Sequence, residues 1–211
     1  MLRSGWGRVL VVSAVVGIIA LISNITSVAQ LSGEADTWLT IRFTLSKLVN
    51  SGAVWAGLLV LAGWLVRRPV PAMAAGIVAG MVSLVVHYGL GLLFGMFEPT
   101  VWAENQMWFI YALVLGGPLG LIGAVARRTD VLGLLARLVV PAGAAIEPFF
   151  LGMFTRPELL PAPERISSGV AGAILIAAGI IGAVLVLLRH RSASRPLGDQ
   201  SKVAARDSIA L

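Results

Sequence analysis

Residues Glu98 to Gly120 read EPTVWAENQMWFIYALVLGGPLG, a stretch that places carboxylates, amides and large aromatic side chains at the start of an apolar run. Together with the residues that follow, the run is long enough for a membrane-spanning helix, which needs about 20 mostly apolar residues. Pro118 removes one backbone donor, and Gly116, Gly117 and Gly120 allow neighbouring helices to approach closely. The stretch therefore predicts a kinked, tightly packed transmembrane helix with polar groups at one end.

The composition of the whole chain places this helix in a membrane protein. Of its 211 residues, 58% are hydrophobic and 12% are charged, whereas about 25% of the residues of soluble domains are charged. The mean hydropathy is +0.92. The apolar runs are long and continuous, which favours a helical bundle over a barrel of short alternating strands. The chain has no cysteine, so disulfides and thiolate chemistry are excluded.

Six apolar runs predict six transmembrane helices. They cover approximately residues 9–28, 44–66, 70–97, 105–126, 131–154 and 166–188. The first run also has the charge pattern of a secretory signal, but it exceeds the usual apolar core of about 7–15 residues, so we expect it to be retained. We expect one membrane domain over residues 1–190 and a disordered cytoplasmic tail over residues 191–211.

The positions of the arginines predict the orientation of the bundle, because Lys and Arg collect in short cytoplasmic loops. Four helix ends on one side of a six-span topology carry two arginines each: Arg3 and Arg8, Arg67 and Arg68, Arg127 and Arg128, and Arg189 and Arg191. The sequence thus predicts an all-α, multi-pass protein of the inner or plasma membrane with both termini in the cytoplasm. This placement also explains the net charge of +6 without a nucleic-acid partner.

Polar side chains are expected to form a layer near the outer ends of the spans. Counting about 1.5 Å per residue along each helix places His87 and Glu147 in the outer half of spans three and five. Asn50 lies towards the outer end of span two, and Glu104 and Asn105 lie at that of span four. Ionisable groups inside spans are costly and mark functional sites, so this layer predicts a polar cup that opens outwards.

Two helical faces join a polar group to aromatic rings, since residues three or four apart share a face. The spacing predicts these two sets: Glu104, Trp108 and Tyr111; and Lys47, Ser51 and Trp55.

Glu147 is the strongest candidate for a chemical role, because helix capping does not explain a carboxylate in the middle of a span. Burial favours its uncharged form, which could donate a proton. A structural pair with Lys47 or His87 is the alternative. For Glu104 the alternative is capping of span four, and for His87 it is a hydrogen bond to a nearby carbonyl group.

Four stretches carry a resemblance to known proteins: NSGAVW (50–55), HYGL (87–90), WAENQMWFIYALVLGGPLG (102–120) and GAAIEP (143–148). Together they resemble a family of small bacterial six-span membrane proteins of mostly unknown function. More loosely, the chain is similar to the integral-membrane terpene cyclases of bacterial meroterpenoid and terpenyl-indole pathways.

The resemblance to the cyclases implies metal-independent, acid-initiated cyclisation of a lipophilic prenylated substrate, with no cofactor. It implies catalytic roles for Glu147, Glu104 and His87. The faces of the aromatic rings could stabilise carbocations. The substrate would be bound by these aromatic and amide side chains: Trp55, Trp108, Phe109, Tyr111, Tyr88, Asn50 and Asn105.

Two other functions fit the same pattern. An outward-facing, substrate-binding subunit of a small-molecule transporter would resemble the substrate-capture components of vitamin transporters in size and span number. It would need an energising partner, because the chain has no nucleotide-binding motif. A scaffold protein could use the polar layer only to fix helix register. The carboxylates and aromatic faces favour the enzyme.

Overall fold

The computed structural model describes residues 5–25 and 35–193, and these residues form a bundle of helices without strands. Six helical segments within them are long and apolar enough to cross a membrane, which confirms the predicted all-α, six-span architecture. The helices are α1 (Gly5–Ser23), α2 (Asp36–Val49), α3 (Gly52–Val66), α4 (Pro69–Leu93), α5 (Val101–Glu104), α6 (Gln106–Val125), α7 (Val131–Phe150) and α8 (Ala162–Ala193).

Span two differs from the prediction, because it consists of two helices rather than one. The first of these helices, α2, begins at Asp36 and ends at Val49, and the second, α3, begins at Gly52. Span six continues to Ala193, past the predicted domain border at residue 190. The rest of the predicted disordered tail lies outside the described residues.

The helices pack as two groups. One group contains α1, α3, α4 and α6, with α6 lying against both α3 and α4, and α1 lying mainly against α4. The other contains α7 and α8, and α2 packs against α8. The break in span two therefore marks the point where this span passes from one group to the other. The core of the first group contains mainly small and aliphatic side chains: Val9, Leu58, Leu59, Ala62, Ala75 and Ala79.

Glycines allow α6 to contact its neighbours through backbone atoms. A methyl group at Gly120 would overlap the carbonyl oxygen of Ala72 in α4, and one at Gly123 would overlap that of Val60 in α3. Pro118 lies within the continuous helix α6. The close approach predicted from this glycine-rich segment is therefore present, on two sides of the same helix.

The arginine-bearing ends of spans two and four are joined directly. Arg127 Nη1 donates to the carbonyl oxygen of Trp64 at 3.3 Å, and its guanidinium lies 4.7 Å from the centre of the Trp64 ring. Asp130 caps α7 by accepting from Gly133 N–H at 3.0 Å. Its hydrogen bond with Arg128 lowers the pKa of the Asp130 carboxyl group. The contacts of Arg127 with Trp64 place both ends at the same end of the bundle, as six alternating spans require.

We expect Gly120→Ala to lower the free energy of unfolding by about 1–3 kcal/mol, the usual cost of overpacking a core. Gly117→Ala is the matched control, because its new methyl group would lie 3.7 Å from Met73 Cε and 3.9 Å from Ile77 Cδ1. These are ordinary contacts. Both variants are compared by thermal unfolding of the purified protein in detergent. Equal unfolding temperatures would contradict the backbone contact between α6 and α4.

Candidate functional site

The break in span two creates a helix N-terminus inside the bundle. Asn50 ends α2, and Ser51 has the extended backbone of an N-cap residue, with φ −65° and ψ 149°. The first N–H groups of a helix have no acceptor within that helix. Ser51 Oγ accepts from Val54 N–H at 3.2 Å, and the carbonyl oxygen of Ser51 accepts the first helical bond from Trp55 N–H. The N–H groups of Gly52 and Ala53 thus need other acceptors.

Glu147 of α7 supplies both of these acceptors. Its Oε1 accepts from Gly52 N–H at 2.7 Å, and its Oε2 accepts from Ala53 N–H at 2.9 Å. A carboxylate at a helix N-terminus is also favoured by the helix dipole. Each carboxylate oxygen thus faces one N–H group of α3. Glu147 therefore caps a helix of another span, an arrangement that the sequence did not predict.

A cavity of about 830 Å³ lies beside this cap, between α3, α4, α6 and α7. Its polar end contains Asn24, Ser46 and Asn50, which are joined by hydrogen bonds such as Ser46 Oγ to Asn24 Oδ1 at 2.6 Å. Its deeper wall is aliphatic and includes Leu59 and Leu119. The cavity therefore has one polar end and an apolar body, a shape suited to an amphipathic or lipophilic molecule.

Aromatic side chains form one wall of the cavity. His87 and Tyr88 are both buried and both line it, with their ring centres 4.8 Å apart. His87 Nδ1 is buried and has no hydrogen-bond partner among the described residues. Tyr88 is supported from behind by Trp102 and Phe109, whose ring centres each lie 5.9 Å from its own. These contacts fix the position of the Tyr88 ring at the wall.

The cavity opens sideways, towards the surface that a bilayer would cover. Trp108, Tyr111 and Phe150 line it, yet 55%, 46% and 86% of their respective surfaces are exposed. Trp108 and Tyr111 belong to α6 and Phe150 to α7, and these two helices contact each other only slightly. The cavity is therefore open between spans four and five, on the outer surface of the bundle.

The structure brings most of the predicted site residues together at this cavity. Seven of them line it: Glu147, His87, Trp55, Trp108, Tyr111, Tyr88 and Asn50. The other three do not. Glu104 is exposed at the end of α5, Asn105 donates from Nδ2 to the carbonyl oxygen of Val101 at 2.9 Å, and Phe109 lies behind Tyr88.

The two predicted helical faces are interrupted by breaks in the helices. Asn105 separates α5 from α6, so Glu104 does not continue the face of Trp108 and Tyr111, although those two rings are in edge contact at 5.8 Å. Lys47 does not join the site and forms an ion pair of 2.9 Å with Glu164 of α8. The alternative prediction paired Glu147 with Lys47 or His87. In the structure Glu147 instead accepts hydrogen bonds from the backbone N–H groups at the start of α3.

Several lining residues were not predicted, among them Ser46, Gly143, Phe150 and Leu151. The sequence contains a signal for the break itself, because Asn, Ser and Gly at positions 50–52 are favoured in turns and Ser is a favoured N-cap residue. The other lining residues have no such signal, since they are ordinary apolar or small side chains within spans.

We expect Glu147→Gln to lower the free energy of unfolding by about 1–3 kcal/mol, since one N–H of α3 would then face the amide NH₂ group instead of an acceptor. Glu104→Gln is the control, because the Glu104 side chain has no hydrogen bond to any described residue. Thermal unfolding in detergent compares the two. An equal effect of both substitutions would argue against the cap.

The chain was compared with protein-family models, with curated proteins and with solved structures, and none of them matches it. The similarity to membrane terpene cyclases therefore stays a prediction.

Proposed function

We propose that this protein is a membrane-embedded enzyme that binds a lipophilic, prenylated molecule in the cavity and cyclises it by acid-initiated carbocation chemistry. The observation that carries the proposal is the shape of the cavity: an apolar, aromatic body that opens to the bilayer, with a carboxyl group at its polar end. Access from the bilayer also removes the need for an aqueous route to the outer side of the membrane. The charge pattern supports an inner or plasma membrane with the arginine-rich ends in the cytoplasm.

The catalytic requirement is a proton donor that faces the substrate. Among the described residues that line the cavity, Glu147 is the only Asp or Glu. In its protonated form it would keep one oxygen as an acceptor for α3 and turn the hydroxyl group towards the cavity. Proton transfer to an alkene or epoxide would produce the carbocation and leave Glu147 as a carboxylate. Ring closure and return of a proton to this carboxylate would give an isomer of the substrate and restore the acid. The faces of Trp55, Trp108 and Tyr111 can stabilise the passing positive charge.

Binding is tested first, by filling the cavity. Gly143 lines the cavity, and a Cβ atom added there would meet no atom within 4 Å, so Gly143→Leu adds a side chain at the cavity wall without a clash at Cβ. We expect it to weaken binding of a farnesylated phenol at least tenfold, as followed by tryptophan fluorescence, since Trp55 and Trp108 line the cavity. Gly169→Leu is the control, because Gly169 also has open space around it but lies in α8, away from the cavity. Unchanged binding by Gly143→Leu would exclude this cavity as the site.

Catalysis is tested by incubating the protein in membranes with farnesylated aromatic compounds and their epoxides, without added metal. We expect a product of unchanged mass and altered chromatographic retention. Glu147→Gln should abolish it, whereas Ser51→Ala should retain it. Ser51→Ala also removes one cap of α3, from Val54 N–H, but leaves the carboxyl group in place. The pair therefore separates loss of the acid from loss of helix stability.

A transporter subunit is the second candidate, favoured by the polar end formed by Asn24, Ser46 and Asn50. If the folded protein binds the prenylated probes but yields no isomer from any of them, cyclisation is rejected and a binding function is supported. If Glu147→Gln and Ser51→Ala lose the product equally, the role of Glu147 is structural and the acid lies elsewhere.

A further inference from the structure

A second cavity, of about 510 Å³, lies at the opposite end of the bundle from the polar end of the first. It is formed where α1 begins, α3 ends and α4 begins, and its lining includes Trp6, Arg8, Arg67 and Arg68. The helix ends meet closely here, since a methyl group at Gly5 would lie 2.6 Å from the carbonyl oxygen of Leu65. Three exposed arginine residues thus line one cavity at the ends of transmembrane helices.

These arginines lack partners within the described part of the chain. The side chains of Arg8, Arg67 and Arg68 form no hydrogen bond or ion pair with any described residue, and none of the described residues that line the cavity is an Asp or Glu. The other arginine pair at this end differs, because Arg127 contacts Trp64 and Arg128 pairs with Asp130. The positive charge at the cavity is therefore available to a ligand from outside the chain.

The backbone at Arg67 supplies an independent observation. Arg67 has φ 76° and ψ −36°, and Arg68 N–H donates to the carbonyl oxygen of Val66 at 3.0 Å, so Arg67 is the central residue of a γ-turn with positive φ. Such turns are rare and strained, and glycine tolerates positive φ at no steric cost. An arginine at this position is unfavourable for the turn, which indicates that its side chain has a role beyond the turn.

We propose that this cavity binds the phosphate group of an anionic membrane lipid. Guanidinium groups bind phosphate oxygens strongly and in a bidentate manner. Basic pockets between transmembrane helices on the cytoplasmic side bind anionic headgroups, and the charge rule places this end in the cytoplasmic leaflet. Trp6, which is 39% exposed at the start of α1, lies where interfacial tryptophans contact lipid headgroups.

Native mass spectrometry of the purified chain in detergent, titrated with phosphatidylglycerol, tests this site. We expect the wild-type protein to bind it at least tenfold more tightly than phosphatidylcholine. Arg67→Gly should weaken binding at least tenfold while the unfolding temperature stays the same or rises, because glycine relieves the strained turn. A residue with a purely structural role would not show these two effects together.

Arg189→Gln is the control for net charge, since Arg189 is exposed at the same end of the bundle and lies outside the cavity. It should bind phosphatidylglycerol as the wild type does. If Arg67→Gly has a lower unfolding temperature than the wild type, the Arg8→Gln variant tests the site instead. This substitution leaves the turn at Arg67 unchanged and should also weaken the binding of phosphatidylglycerol tenfold. The proposal is overturned if both cavity variants bind phosphatidylglycerol as tightly as the wild type. It is also overturned if Arg189→Gln weakens this binding as much as the cavity variants do. Equally tight binding of inorganic phosphate would assign the site to a soluble anion instead of a lipid.

Discussion

The hydrogen bonds between the Glu147 carboxylate and the start of α3 hold the two groups of helices together at the cavity. Within a bilayer, backbone N–H groups without an acceptor are costly, and a broken helix is tolerated only where its free groups are satisfied. Glu147 satisfies two of them from another span, and Ser51 satisfies a third. Span two can therefore leave one group of helices and join the other, and the gap that remains beside it is the cavity.

Glu147 has a structural role in this arrangement, and the function proposed above gives it a chemical role as well. Its oxygens are the acceptors for α3, and the same carboxyl group is at the polar end of a cavity lined by His87, Tyr88 and aromatic rings of α3 and α6. Broken transmembrane helices commonly direct a half-helix N-terminus at a binding site. Here an internal carboxylate occupies that N-terminus, so the cavity is less suited to anionic ligands than to neutral or cationic ones.

The sequence predicted the spans well because hydropathy depends on local composition alone. It also placed His87, Glu147 and Asn50 at one depth, since depth follows from counting along a helix. The two predicted helical faces were wrong where a helix breaks. Residues before and after Asn50 or Asn105 lie in different helices, so a spacing of three or four residues does not place them on one face. The pairing of Lys47 with Glu164 joins residues 117 positions apart. No local pattern reveals such a contact.

The distance along the chain between the broken helix and its cap bears on how the protein is made. Gly52 and Glu147 are 95 residues apart, and chains are synthesised and inserted from the N-terminus onwards. During synthesis, spans two to four therefore enter the bilayer before the carboxylate that completes span two. Until span five arrives, the start of α3 depends on water or lipid headgroups for its acceptors. Residues of α7 line the cavity, so the cavity acquires this wall only when span five packs against the earlier spans.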